Sequence, residues 1–241
     1  MLSFIIFRSC MFSTFLQRLT HTFSFDFVNK SPFISKINDS IRVRYVPNEV
    51  GSPRIEALYP TPLGFKYEVT FEYEVWFEQG FQWVKGGKLP GLRGGNPSIK
   101  TTGCIRPQPK NAWSNRIMWG PKGTAILYIY DQTRFFDNIA CGISNSSNIP
   151  IFVPNKWINI KLYMKLNSET NKNDGIATMY IENKKIIHRP YITWYNITTT
   201  IDHVYFSTFY GGNDYSWAPL NTTFIRFRRP KLYNYNILNG L

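Results

Sequence analysis

The chain of 241 residues has room for one domain of sandwich or barrel size, with 43% hydrophobic residues to build a core and a heavy 17% of aromatics. So many aromatics cannot all be interior, so some must line a groove or the surface. The formal net charge of +13, from 28 Lys+Arg against 15 Asp+Glu, favours a polyanionic partner, and no apolar run is long enough to cross a membrane.

Residues 1–60 show no clear periodicity and read as a leader followed by irregular chain. The first stretch, MLSFIIFRSCMFSTFLQRLTHTFSFD, has no acid before Asp26, and its apolar runs are cut by Arg8 and Arg18. That makes a poor secretory signal and a fair transit-like segment. Glycosylation sequons at Asn29, Asn38, Asn145, Asn196 and Asn221 point towards secretion. VPNEVGSPRIEALYPTPLG is punctuated by proline and glycine.

The period-two signal begins at KYEVTFEYEVWFE. Tyr67, Val69, Phe71, Tyr73, Val75 and Phe77 alternate with Glu68, Thr70, Glu72, Glu74, Trp76 and Glu78, which predicts a long half-buried strand. WVKGGKLPGLRGG then reads as a flexible glycine-rich segment. It carries Lys85, Lys88 and Arg93 over a sheet face, where glycines let backbone approach a ligand. SNRIMW and TAILYIYD flank GPKG as a hairpin. WINIKLYMKLN puts Ile158, Ile160, Leu162, Met164 and Leu166 on one face. GIATMYIENKKIIHRP predicts a second hairpin turning at ENKK, and DHVYFSTFYGG and TTFIRFRRPKLY supply the last strands. With no long helical period, the chain reads as an all-β sandwich, one domain over 61–241.

Parity gathers the candidate chemistry. Ser114 and Arg116 share one face of their strand, and Tyr128 and Tyr130 share one face of the next. Across a GPKG hairpin these four converge, with Met118 and Ile126 beside the turn. A cation near a phenol stabilises phenolate and lowers its pKa. The bland alternative is two amphipathic tyrosines on a sheet face with Arg116 stacked on one. Glu72, Glu74 and Glu78 are spaced closely enough for a glycosidase pair, or else form the solvent face of an edge strand. His21, His188 and His203 make no metal-binding pattern, so no metal is expected. No phosphate loop and no nucleophile elbow is present. Of three cysteines, Cys10, Cys104 and Cys141, the last two are left either as one bridge or as two buried thiols.

Taken in order, GGKLPGLRGG, SNRIMW, LYIY, FSTFYGG with SWAP, and FIRFRRPKLY resemble polysaccharide lyase family 14, which includes alginate and glucuronan lyases. The resemblance covers roughly Tyr67 to Tyr233. It implies a single concanavalin-like β-jelly-roll sandwich with a cationic groove, needing no cofactor. The implied chemistry is β-elimination on a polyuronate, leaving an unsaturated uronate at the new non-reducing end. It places the catalytic residues at Lys88, Ser114, Arg116, Tyr128 and Tyr130. Which tyrosine, or Lys88, acts as base stays open. Lys85 and Arg93 would hold neighbouring uronates, as would Lys100, Arg106 and Lys110. Trp83, Trp113 and Trp119 are candidates to stack sugar rings. The implied partner is an anionic polysaccharide met outside the cell by a secreted monomer, with no nucleic acid or membrane involved. The alternative reading is a non-catalytic module that binds acidic polysaccharide.

Overall fold

The computed structural model describes residues 18–28, 30–99, 101, 103–104, 112–132, 141–195 and 199–238. Among these, fourteen strands form two antiparallel sheets. In chain order they are β1 (Thr20–Thr22), β2 (Ile34–Ile37), β3 (Ser40–Tyr45), β4 (Ile55–Pro60), β5 (Glu68–Phe77), β6 (Gly87–Gly94), β7 (Trp113–Trp119), β8 (Thr124–Tyr130), β9 (Ile143–Pro150), β10 (Trp157–Lys165), β11 (Gly175–Ile181), β12 (Lys184–Ile192), β13 (Ile201–Tyr210) and β14 (Thr223–Tyr233). The first sheet runs β12-β11-β10-β5-β14-β3-β2, with β1 also on β14, and the second runs β4-β13-β6-β7-β8-β9.

Alternation decides which face of each strand meets the other sheet. Val69, Phe71, Tyr73, Val75 and Phe77 of β5 are fully buried, and Ile158, Ile160, Leu162 and Met164 of β10 lie in the same core. Trp113, Ile117 and Trp119 of β7, Leu127 and Ile129 of β8 and Phe206 of β13 meet them from the second sheet. Each such side chain contributes roughly 1.5–3 kcal/mol on leaving water. Tyr67, the first residue of the predicted strand face, falls outside β5 and is 61% exposed. The ENKK hairpin forms between β11 and β12, with Glu182 and Asn183 both at positive φ (50° and 63°), as a tight primed turn requires.

Two expectations are corrected. The described part of residues 1–60 is not irregular: β3 pairs with β14 and β4 with β13, so this stretch reaches both sheets. Its alternation is real but short, since Ile41, Val43 and Tyr45 are buried and Pro47 follows two residues later. Nor is the glycine-rich stretch a flexible surface segment. From Gly87 to Gly94 it is β6, buried along its whole length between β13 and β7, with Lys85 exposed ahead of it. A Cβ at Gly87 would lie 2.1 Å from the Trp119 ring, and one at Gly94 would lie 2.5 Å from the Trp113 ring. These glycines make room for two core tryptophans rather than for a ligand.

The glutamates of β5 face outward, but from an interior strand between β10 and β14 rather than an edge. Glu74 is paired to Arg228 and Arg229, Glu78 to Arg42 and Arg226, and Glu72 to Lys161. Each is held by cations, which fits a structural role.

Candidate active site

Lys88 and Arg93 are five residues apart, so an unbroken strand would turn them to opposite faces. Pro90 has no N–H for the ladder, and β6 bulges there: Leu89 pairs with Ile117, while Gly91 pairs with Arg116. The extra residue brings Arg93, opposite Ser114, back to the face of Lys88, opposite Met118. The Pro90 carbonyl accepts a hydrogen bond of 3.2 Å from the Tyr73 hydroxyl, which crosses the core from β5.

Strands β7 and β8 form the predicted hairpin. Ser114 opposes Tyr130, Arg116 opposes Tyr128 and Met118 opposes Ile126. A cavity of about 510 Å³ lies on this face. Arg54, Lys85, Lys88, Arg116, Tyr128 and Tyr130 line it, together with Phe209, Asn213 and Trp217. No carboxylate belongs to the described lining.

Lys88 is 7% exposed. Its Nζ lies 2.6 Å from Met118 Sδ and 3.5 Å from the centre of the Tyr128 ring. Burial takes its amine well below the usual lysine range, and the charges of Arg116 and Arg54 push it further. Arg116, 1% exposed, donates from Nη1 to Ser207 Oγ at 3.3 Å. Its guanidinium carbon lies 5.8, 5.9 and 5.3 Å from the rings of Tyr128, Tyr130 and Tyr205. Among the described residues, neither Lys88 nor Arg116 has an ion-pair partner. Among the described residues, the Arg116 Nε has no hydrogen-bond partner either.

The two phenols touch. Tyr128 Oη and Tyr130 Oη are 3.4 Å apart. Tyr128 Oη accepts a hydrogen bond from the Gly142 amide at 3.2 Å, and Tyr130 Oη accepts one from the Cys104 amide at 3.0 Å. Burial, then the neighbouring phenol, hold Tyr128 above the usual tyrosine range, against the opposing pull of Arg116 and the Gly142 amide. Cys104 and Cys141 form a disulfide, which settles the open choice, and both line the cavity.

The structure thus brings Lys85, Lys88, Arg116, Tyr128 and Tyr130 to one cavity. Ser114 is not in its lining: it is fully buried, and its hydroxyl donates to the Thr101 carbonyl. Arg93, though on the same face, is not in the lining either and caps the following loop through the carbonyls of Asn96 and Ile99. Trp113 and Trp119 are core residues, and Trp83 packs on Phe77 and Phe81, so none of the three lines the cavity. Lys100, Arg106 and Lys110 lie outside the described residues. Sequence reasoning missed Arg54, Phe209, Asn213 and Trp217. Trp217 sits in the quoted SWAP stretch, but Arg54 lies where no pattern was visible.

An antiparallel sandwich that buries a lysine and an arginine beside two phenols, on a cavity whose described lining holds no carboxylate, suits an anionic ligand and proton transfer. The chain belongs to the polysaccharide lyase 14 family, whose model it matches over residues 44–229. It is similar to the marine PL-14 alginate lyase from Aplysia kurodai, with a TM-score of 0.70 and 24% identity over 83% of this chain and 86% of that one. It is also similar to a double variant of alginate lyase Aly36B in complex with alginate tetrasaccharide, with a TM-score of 0.70 and 20% identity over 83% and 82%. A curated relative, Exolysin of Paramecium bursaria Chlorella virus 1, is 24% identical over 214 residues, covering 76% of this chain. That match covers 32% of Exolysin, so the chain spans about a third of its length.

Proposed function

We propose that the protein cleaves a uronic-acid polymer, alginate or glucuronan, by β-elimination. The observation that carries this reading is the Lys88 amine, buried against the Tyr128 ring that Arg116 also approaches, in a cavity whose described lining holds no carboxylate. The substrate's carboxylate sits on Arg116. Burial favours the neutral amine of Lys88, which takes the C5 proton. Negative charge builds on the carboxylate, where the fixed cation of Arg116 stabilises it. The C4–oxygen bond breaks with its electron pair going to oxygen, and C4=C5 forms. Tyr128, kept protonated by burial, gives its proton to the departing oxygen. Tyr130, 3.4 Å away, is placed to relay a proton back.

Lys85 and Trp217 are the proposed contacts for flanking sugars. Action as a monomer belongs to the same proposal. The Cys104–Cys141 disulfide supports an oxidising, extracellular setting. No helix among the described residues is long and apolar enough to cross a membrane. The other reading, a non-catalytic polyuronate-binding module, would keep the cations but would not need an amine whose pKa is pushed down by burial beside a phenol.

Purified protein is incubated with polymannuronate, polyguluronate and polyglucuronate, and ultraviolet absorbance of a conjugated double bond is followed. Absorbance growth on one polymer, abolished by Lys88→Ala, is expected. Binding without absorbance would move the assignment to the binding module.

A further inference from the structure

The two phenol oxygens of the cavity are each held by a backbone amide, and the two amides come from opposite ends of one covalent link. Cys104 N donates to Tyr130 Oη, and Gly142 N, next to Cys141, donates to Tyr128 Oη. Cys104 follows β6 and Cys141 precedes β9, 37 residues further on. The hairpin bearing Arg116, Tyr128 and Tyr130 lies inside the loop that the disulfide closes.

We propose that the Cys104–Cys141 disulfide is a positioning clamp: it fixes two amide donors on the Tyr128–Tyr130 pair and makes the reaction depend on the redox state of the bond. The inference rests on the lyase reading for its activity readout, but the geometry is independent of it.

An amide aimed at a phenol oxygen stabilises the charged form, and the Gly142 amide acts on Tyr128 in that sense. Cys104 lies in no strand, and Gly142 lies just ahead of β9, whose first residue Ile143 pairs with Ile129. Tyr130 pairs with Ser114 and Tyr128 with Arg116 and Ser144, so the amide contacts depend on where the chain outside β8 is tied down. Finally, the disulfide is itself part of the cavity lining, within reach of reductant entering as substrate does. Reduction by a phosphine breaks the S–S bond. The phosphine gives two electrons and leaves as its oxide, water supplies the oxygen and both protons, and two thiols remain.

The test uses the full chain in a Cys10→Ser background, oxidised, phosphine-reduced, and as the Cys104→Ala/Cys141→Ala double variant. Elimination rates are measured across pH, with polymer affinity, far-ultraviolet circular dichroism and the ultraviolet titration of tyrosine ionisation beside them. Loss of the clamp is expected to lower kcat by roughly 100-fold, with KM and dichroism little changed and the pH profile displaced. Reoxidation should restore the rate. If the double variant does not fold, the reversible loss in the reduced native chain carries the test. An unchanged kcat, pH profile and tyrosine titration after complete reduction would overturn the clamp. If the oxidised chain eliminates no polyuronate, the lyase reading falls. The clamp is then judged by the tyrosine titration alone, which must move on reduction.

Discussion

The Lys88 Nζ lies 3.5 Å from the centre of the Tyr128 ring, on the same sheet face as a guanidinium that has no acidic partner among the described residues. A charged ammonium would be drawn to that ring face. Burial and two nearby cations, Arg116 and Arg54, act against the charge. On the proposed reading, that amine is the group that takes a proton from the anionic substrate.

Replacing that amine should abolish elimination without unfolding the protein. Lys88→Ala is expected to lower kcat by roughly 10²- to 10⁴-fold. Lys88→Arg should not rescue it, because a guanidinium does not release its proton. Rates of double-bond formation and polymer binding by calorimetry check both points.

The pH dependence follows from two opposite shifts. Lys88 lies below its usual 10.5, so activity should rise with pH through a midpoint under that value. Tyr128 lies above its usual 10.0, so the plateau should extend beyond that pH before its proton is lost. Stability has the same sign on the acid side. Between the folded and unfolded pKa values of Lys88 the unfolded chain binds more protons, so stability rises with pH. It is lost as pH falls through the folded value, when the buried amine must charge. Lys88→Met should flatten that slope in urea midpoints measured across pH.

The bulge at Pro90 depends on a donor from the other sheet. Tyr73→Phe leaves the Pro90 carbonyl without its hydroxyl partner and should cost about 1–3 kcal/mol. Because the bulge sets how Lys88 registers against the rest of β6, kcat should fall as well. Urea unfolding and rate measurements on one preparation test the link; a large stability loss with an unchanged kcat would break it.

Two tryptophans should separate core from cavity. Trp119→Ala empties a fully buried site and should cost about 3–5 kcal/mol. Trp217→Ala should leave stability near wild type and raise KM about three- to tenfold, as loss of one ring contact would.

A glycosidase built on the β5 glutamates makes a contrary prediction. Glu74→Gln is expected to leave elimination intact and to cost about 1–3 kcal/mol, since Arg228 and Arg229 lose their carboxylate. Product spectra showing a double bond in the variant would exclude the hydrolytic role.

The sequence by itself determined the strands whose alternation is long. β5 and β10 bury every second residue, and the β7–β8 hairpin registers Arg116 on Tyr128 as parity and the GPKG turn require. Local spacing suffices there, because side-chain direction on a strand repeats every two residues. Tertiary structure decided the rest. GGKLPGLRGG is rich in turn formers, yet it is a central strand because Trp113 and Trp119 need glycines beneath their rings. Arg93 and Ser114 share the site's face but spend their hydrogen bonds on loop carbonyls, a choice set by chain distant in sequence. Arg54 reaches the cavity from ahead of β4, whose place beside β13 no local pattern announces. The disulfide could not be read from two cysteines 37 residues apart, since only the folded sheets bring them together.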